Sequence, residues 1–276
     1  MNLRAPATSA NLGPAFDCAG VALDLWNELE VTEAARPAAV EVEVEGEGAD
    51  ELPHDERNLT VRAYALFAEP AGKRFRCVNR IPLERGLGSS AAAIALGLAA
   101  ARPGASLEEL LAAGHTLESH ADNLAAALLG GVTLTWDGQA ARIADTLPLA
   151  PVAVVPTMRI RTSLARHGLP PTVPHGDAAV TVGRAALVGA AVAAGDPVLF
   201  AAALDDRLHE PYRPSPILAA IRAELPDGAR GATLSGSGPT VIVWADDAAR
   251  CAAALRERYP ACSVLELRVS PTGALA

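Results

Sequence analysis

The chain has 276 residues, 50% of them hydrophobic and 20% charged, with a net charge of -9. That is enough apolar material for one large domain or two modest ones, and it excludes a disordered or disulfide-dependent chain. The acidity, without any long basic tract, argues against nucleic acid or an anionic membrane as the main partner.

The first residues, Met1 to Pro6, lack the apolar core of a signal peptide. The longest uncharged run, Gly86 to Ala101, spans 16 residues, short for a membrane span, so a cytoplasmic protein is expected. Residues 18–31 and the alternating Val40 to Val44 read as strands, the second with one wet face. Asn58 stands where it caps a helix running through Phe67, and Phe75 to Ile81 is a short strand. Ala91 to Ala101 is an uncharged helix to be buried on most sides. Ser106 and Glu109 form a capping box that opens the next helix. Asp122 caps a third, which ends at Gly130-Gly131. Val132 to Trp136 is a strand, followed by a turn at Asp137-Gly138. A strand lies between Pro148 and Pro156, and the composition changes near residue 150. Helical patterns follow near 177–194, 196–204 and 215–225, then strand, helix and strand at 240–244, 247–258 and 263–269. This order lacks regular βαβ alternation and reads as α+β in two parts, 1–150 and 151–276.

Lys73 is the only lysine among 23 basic residues. A Gly-Lys-Ser/Thr phosphate loop is therefore absent, and the surroundings of Lys73 read as a solvated turn. Cys18, Cys77, Cys251 and Cys262 form no Cys-x-x-Cys pair. They read as four buried free thiols of a reducing compartment, with neither zinc nor a redox dithiol.

Three segments concentrate glycine, serine and proline between apolar elements: Pro6 to Pro14, Gly86 to Ser90, and Ser235 to Pro239. The second joins a strand to an apolar helix, so its unpaired amides and the helix dipole face an anion together. Gly86 and Gly88 allow close backbone approach to a phosphate, and Ser89 and Ser90 add hydroxyls that bond phosphate or ligate Mg2+. Gly-x-Gly-x-x-Gly fails at Ala91, which excludes a dinucleotide fingerprint. Each loop alone also fits a plain helix start or hairpin; three in one chain favour a composite nucleotide site.

In this order the segments resemble the signatures of the GHMP small-molecule kinases, in particular the branch that acts on homoserine. They are Pro6-Ala-Thr-Ser-Ala-Asn-Leu-Gly-Pro-Ala-Phe-Asp17, Pro82-Leu-Glu-Arg-Gly-Leu-Gly-Ser-Ser-Ala-Ala92 and Leu234-Ser-Gly-Ser-Gly-Pro239. Glu118 to Asn123, Arg161 to Arg166 and Asp206 to Arg213 extend the similarity over most of the chain. Ala15, Ser119, Ala121 and Ala126 depart from the family's usual glycines and prolines.

The resemblance implies an N-terminal ATP-binding part similar to domain 2 of ribosomal protein S5, a ferredoxin-like C-terminal part, and a homodimer. It implies that ATP is held by Pro82, Leu83, Glu84, Arg85, Gly86, Leu87, Gly88, Ser89, Ser90, Ala91 and Ala92, with Asn58 near the adenine and Ser235 and Gly236 on the third loop. Ser90 and Glu118 would hold Mg2+. Asn11, Asp17, His120 and Asn123 would receive the amino and hydroxyl groups of L-homoserine, and Arg166 and Arg213 its carboxylate. A zwitterion needs such opposite partners at its two ends. The implied activity is phosphorylation of the homoserine hydroxyl, a step of threonine biosynthesis. Some relatives place an aspartate base where Asn123 stands, so Asn123, Ser90 and Glu118 would act in catalysis without a dedicated base. A kinase for another small alcohol, or a ligand-binding relative without activity, are the alternatives.

Overall fold

The computed structural model describes residues 1–36, 38–118, 121–160 and 166–276. Strands β1 (Asn2–Ala10), β2 (Ala19–Glu33), β3 (Glu41–Gly46), β4 (Lys73–Asn79), β5 (Val132–Trp136) and β6 (Gln139–Ala144) share one sheet. Its neighbours run β3-β4-β2-β5-β6, with β1 on β2, and only β3 and β4 pair in parallel. A second, antiparallel sheet takes β7 (Ala150–Val155), β8 (Ala229–Leu234), β9 (Val241–Ala245) and β10 (Ser263–Glu266) in the order β10-β7-β9-β8.

In the first part, α1 (Leu59–Tyr64), α2 (Ser89–Ala101), α3 (Leu107–His115) and α4 (Ala121–Leu129) pack on each other and on β1 and β2. In the second, α5 (His175–Ala194), α6 (Pro197–Ala203) and α7 (Pro216–Ala223) lie between β7 and β8, and α8 (Ala248–Arg258) lies between β9 and β10. The second sheet, with its strands counted in chain order as 4-1-3-2, has the ferredoxin-like arrangement. The tail then returns to the first sheet: Val269 bridges Leu23, and the Ala274 amide donates to the Ala127 carbonyl at 2.8 Å.

Local chemistry accounts for most elements. α2 carries no charge and is buried from Ala91 to Ala100 except at Ala93. The capping box of α3 is reciprocal: Ser106 Oγ accepts from the Glu109 amide at 3.2 Å, and Glu109 Oε2 accepts from the Ser106 amide at 2.9 Å. Asn58 caps α1 by accepting from the Thr60 amide at 3.0 Å.

Several expectations are corrected. Pro6 to Ala10 is the second half of β1, not a loop; all its residues are buried, so the strand shows no polar alternation to betray it. β6 is mostly polar or half-exposed, and β8 is interrupted at Gly231 where its register shifts, so pairing with β5 and β9 defines them. Asp122 lies inside the first turn of α4 and does not cap it. Lys73 opens β4, where its ammonium pairs with Glu33 at 2.6 Å. Only Cys77 and Cys251 are buried, their thiols pushed up to about 11 by burial, while Cys18 is exposed and Cys262 half-buried. α5 is long and apolar enough to cross a membrane by length and composition, which the uncharged-run criterion misses because Asp177 and Arg184 interrupt it.

Candidate active site

The three glycine-rich segments converge. Gly86 and Gly88, in the loop that opens α2, have φ of 76° and 68°. A Cβ on Gly88 would lie 1.8 Å from Thr8 Oγ1, and one on Gly86 would lie 2.3 Å from the Ser235 carbonyl oxygen. Only glycine lets this loop pass between β1 and the Ser235–Pro239 turn. The contact is fastened by Ser235 Oγ, which donates to the Gly86 carbonyl at 2.6 Å, and by the Thr8 amide, which donates to the Leu87 carbonyl at 3.0 Å.

Gly88 is the residue before the first turn of α2 and offers no side-chain cap. The amides of that turn thus keep no partner from a capping side chain, and Ser89 and Ser90 stand beside them. They open on a cleft of about 870 Å³, whose wall also includes Pro82, Glu84, Arg85, Gly86, Leu87, Ala91, Glu118 and Gly236. Arg85 does not lend its guanidinium freely: it donates to the carbonyls of Pro156, Leu83 and Thr157 at 2.9, 3.2 and 3.0 Å, clamping the loop to the chain beyond β7.

The other end of the cleft is charged. Asn11, Asp17, Asp122, Asn123, Arg166 and Arg213 line it. Asn11, Leu12, Gly13 and Asp17 take positive φ in the turn after β1, whereas Ala15 does not, so alanine fits there without strain. Asn11 ties this turn to the third loop, accepting from the Asp17 amide at 3.0 Å and donating to the Gly236 carbonyl at 3.2 Å. Asn123 Oδ1 accepts from Thr8 Oγ1 at 2.7 Å, and its Nδ2 donates to Asp122 Oδ1 at 3.3 Å. Two contacts thus agree on how the amide is turned.

Arg166 pairs with Asp17 through both terminal nitrogens. Arg213, 8% exposed, donates from Nη1 to the Gly236 carbonyl at 3.1 Å, while its buried Nε has no hydrogen-bond partner among the described residues. Burial lowers Arg213 from its usual value, opposed by Asp17. The Phe16 ring is in reach of both guanidinium groups, 5.7 Å from Arg166 and 5.4 Å from Arg213.

Most residues singled out in the sequence therefore share one cleft. Leu83, Ala92 and Ser235 support it without lining it. Asn58 is not brought to its wall; its side chain caps α1 and donates to the Pro53 carbonyl at 2.9 Å. His120 lies outside the described residues, as do Arg161 to Ala165. Asp122 is the main residue missed: a buried carboxylate in the wall, 2% exposed. Its place beside Asn123 in the acidic segment was the available signal. His115, Thr116, His167 and Ser237 also line the cleft.

Among the described residues no group of three or more His, Cys, Asp or Glu could hold a metal ion by itself. Ser90 and Glu118 nevertheless offer hard oxygen donors to one cleft. That donor set suits Mg2+, which takes one or two side chains and completes its shell with phosphates and water.

The description "GHMP kinases N terminal domain" matches residues 58–131, and "GHMP kinases C terminal" matches 189–261. A homoserine kinase of Streptomyces avermitilis is 42% identical over 90% of this chain and 86% of its own length. One of Gloeobacter violaceus is 44% identical over 93% and 91%. The crystal structure of a homoserine kinase from Cytophaga hutchinsonii superimposes with a TM-score of 0.83 at 24% identity, over 98% of this chain and 96% of that one, a likeness of fold.

Proposed function

The chain belongs to the homoserine kinases of the GHMP family, and we propose that it transfers the γ-phosphoryl group of ATP to the side-chain hydroxyl of L-homoserine, giving O-phospho-L-homoserine for threonine biosynthesis. The observation that carries this is the buried Arg213 Nε without a partner in the wall of a cleft whose other end is a helix N-terminus. A substrate carboxylate supplies what the Arg213 end lacks, and a nucleotide phosphate supplies what the helix N-terminus lacks.

In this reading Gly86 to Ala91 hold the phosphates through backbone amides and the Ser89 and Ser90 hydroxyls. Ser90 and Glu118 hold Mg2+, which when bound neutralises charge building on the transferred group. Arg166 and Arg213 take the substrate carboxylate. Asp17, relieved of Arg166, takes the ammonium group together with Asp122 and the His120 segment. The direct Asp17–Arg166 pair stands in for the zwitterion, since each of the two side chains supplies the other with the opposite charge that the substrate would bring.

Asn123 works as a donor. Its carbonyl oxygen is engaged by Thr8 and one amide hydrogen by Asp122, so the second amide hydrogen is the donor that would meet the acceptor hydroxyl. An amide is a poor proton acceptor, and a loose transition state asks mainly for alignment. The hydroxyl proton leaves through phosphate or water, with no dedicated base.

The parts divide near residue 150, the enzyme acts in the cytoplasm, and it assembles as a homodimer; sedimentation of the purified protein tests the last of these. The function itself is tested by ADP release at fixed Mg-ATP over a series of hydroxy-amino acids and other small alcohols. L-homoserine is expected to give the highest kcat/KM, and no turnover with it would overturn the reading.

A further inference from the structure

We infer that His209 is a positioning residue for the carboxylate clamp: a neutral imidazole, protonated on Nε2 and bare on Nδ1, that turns Arg213 so its Nε–Nη2 edge faces the substrate. This rests on the reading of the cleft as the homoserine site and deepens it.

His209 is completely buried, just before the short 3-10 turn Glu210–Tyr212. Its Nε2 lies 2.9 Å from the Gly13 carbonyl oxygen, and its Nδ1 lies 3.1 Å from Arg213 Nη1. A carbonyl only accepts and a guanidinium only donates. Of the three protonation states of imidazole, one satisfies both contacts, with the proton on Nε2. The ring cannot rotate away, because it stacks on Phe16 with centroids 5.1 Å apart, and its backbone amide is held by Asp206 Oδ2 at 2.8 Å.

The consequence falls on Arg213. One Nη1 hydrogen goes to His209 Nδ1 and the other to the Gly236 carbonyl at 3.1 Å, so Nη1 has none left for a ligand. The buried Nε lacks a partner among the described residues. A carboxylate is best bound by two parallel donors, and Nε with Nη2 supplies such a pair along one edge of the guanidinium. His209 therefore selects the edge that Arg213 presents. Gly13 and Phe16 belong to the same turn as Asn11 and Asp17, so the ring also links the carboxylate end of the site to the ammonium end.

A proton on Nδ1 would set a donor against a donor and add a positive charge beside Arg213. The charged groups facing the ring are Asp206 and Arg213 on its own segment and Asp17 on the turn after β1, with Nε2 3.7 Å from Asp206 Oδ2. Burial outweighs the two carboxylates and holds the imidazole below its usual range. The clamp is thus assembled at neutral pH and comes apart in acid.

The test compares wild type with His209→Gln and His209→Asn. The Asn side-chain oxygen can replace Nδ1 as acceptor for Arg213, whereas Gln reaches the Nε2 position and leaves Arg213 without that acceptor. For His209→Gln the homoserine KM is expected to rise about 10- to 100-fold with the ATP KM unchanged, and His209→Asn to recover most of that loss. Wild-type kcat/KM for homoserine should fall with an inflection below about pH 6.5, absent in His209→Asn. Equal losses in both variants, a parallel rise in the ATP KM, or an inflection that survives in His209→Asn would overturn the proposal. Nitrogen-15 NMR of the wild-type protein without substrate separates this inference from the assignment of function: an Nε2–H ring with bare Nδ1 supports it, and an Nδ1–H ring overturns it whatever the enzyme phosphorylates.

Discussion

The two ends of the cleft are built by different means. The end we assign to the nucleotide is made of backbone: two glycines, the first turn of α2 and two adjacent serines, all within a handful of consecutive residues. The end we assign to the acceptor is made of side chains from the turn after β1, the start of α4, the segment beyond β7 and the segment before α7. Each is oriented by another side chain or carbonyl. Helix-terminal amides carry partial positive charge in any sequence context, so an acidic chain with a single lysine can still hold phosphate. A zwitterion needs full charges at fixed separation, which amides do not supply.

Substitutions that strike one end and spare the other test this contrast. Gly88→Ala should be the most damaging, since the added methyl meets Thr8 Oγ1 and the residue must keep a φ of 68°. Strain of about 1–3 kcal/mol is expected, with kcat/KM for both substrates down about 1000-fold, because Thr8 also holds Asn123. A variant within tenfold of wild type would show that the loop has slack.

Arg213→Lys should lower kcat/KM for homoserine about 100-fold while leaving the ATP KM alone, because an ammonium cannot form the two-donor fork. An equal shift in the ATP KM would erase the distinction between the ends. Asn123→Asp should lose about tenfold in kcat, because a second carboxylate would sit beside Asp122. A dedicated base contributes about 100- to 10,000-fold, so a much faster variant would refute transfer without one. The smallest effect is expected at Asn58→Ala: about 1 kcal/mol of stability and a few degrees in Tm from the lost cap of α1, with the ATP KM unchanged. A large rise in the ATP KM would instead return Asn58 to the adenine.

What could be read in advance follows the same division. The Gly86–Ser90 loop, the uncharged helix behind it and the Ser106–Glu109 box were legible because capping, propensity and glycine conformation act within a few residues of chain. β1, β6 and β8 were not, because burial on both faces or a polar surface removes the alternation that marks a strand, and pairing alone defines them. Asp122 was taken for a cap because an acid near a helix start has that local use. Its burial depends on α4 packing against β2, far back in the chain, where Gly20 meets the Asp122 backbone.

Composition and local patterning alone thus pointed to an α+β chain with a glycine-rich loop opening an uncharged helix and no Gly-Lys-Ser/Thr phosphate loop, and the order of its motifs carried the resemblance to the GHMP kinases. Tertiary structure decided the rest. Arg166 meets Asp17 before any substrate does, Thr8 turns the Asn123 amide, Arg85 clamps backbone, and His209 chooses which edge of Arg213 is offered. The reason is range. A backbone amide is aimed by its own φ and ψ, whereas a guanidinium at the end of a long flexible side chain is aimed only by what surrounds it.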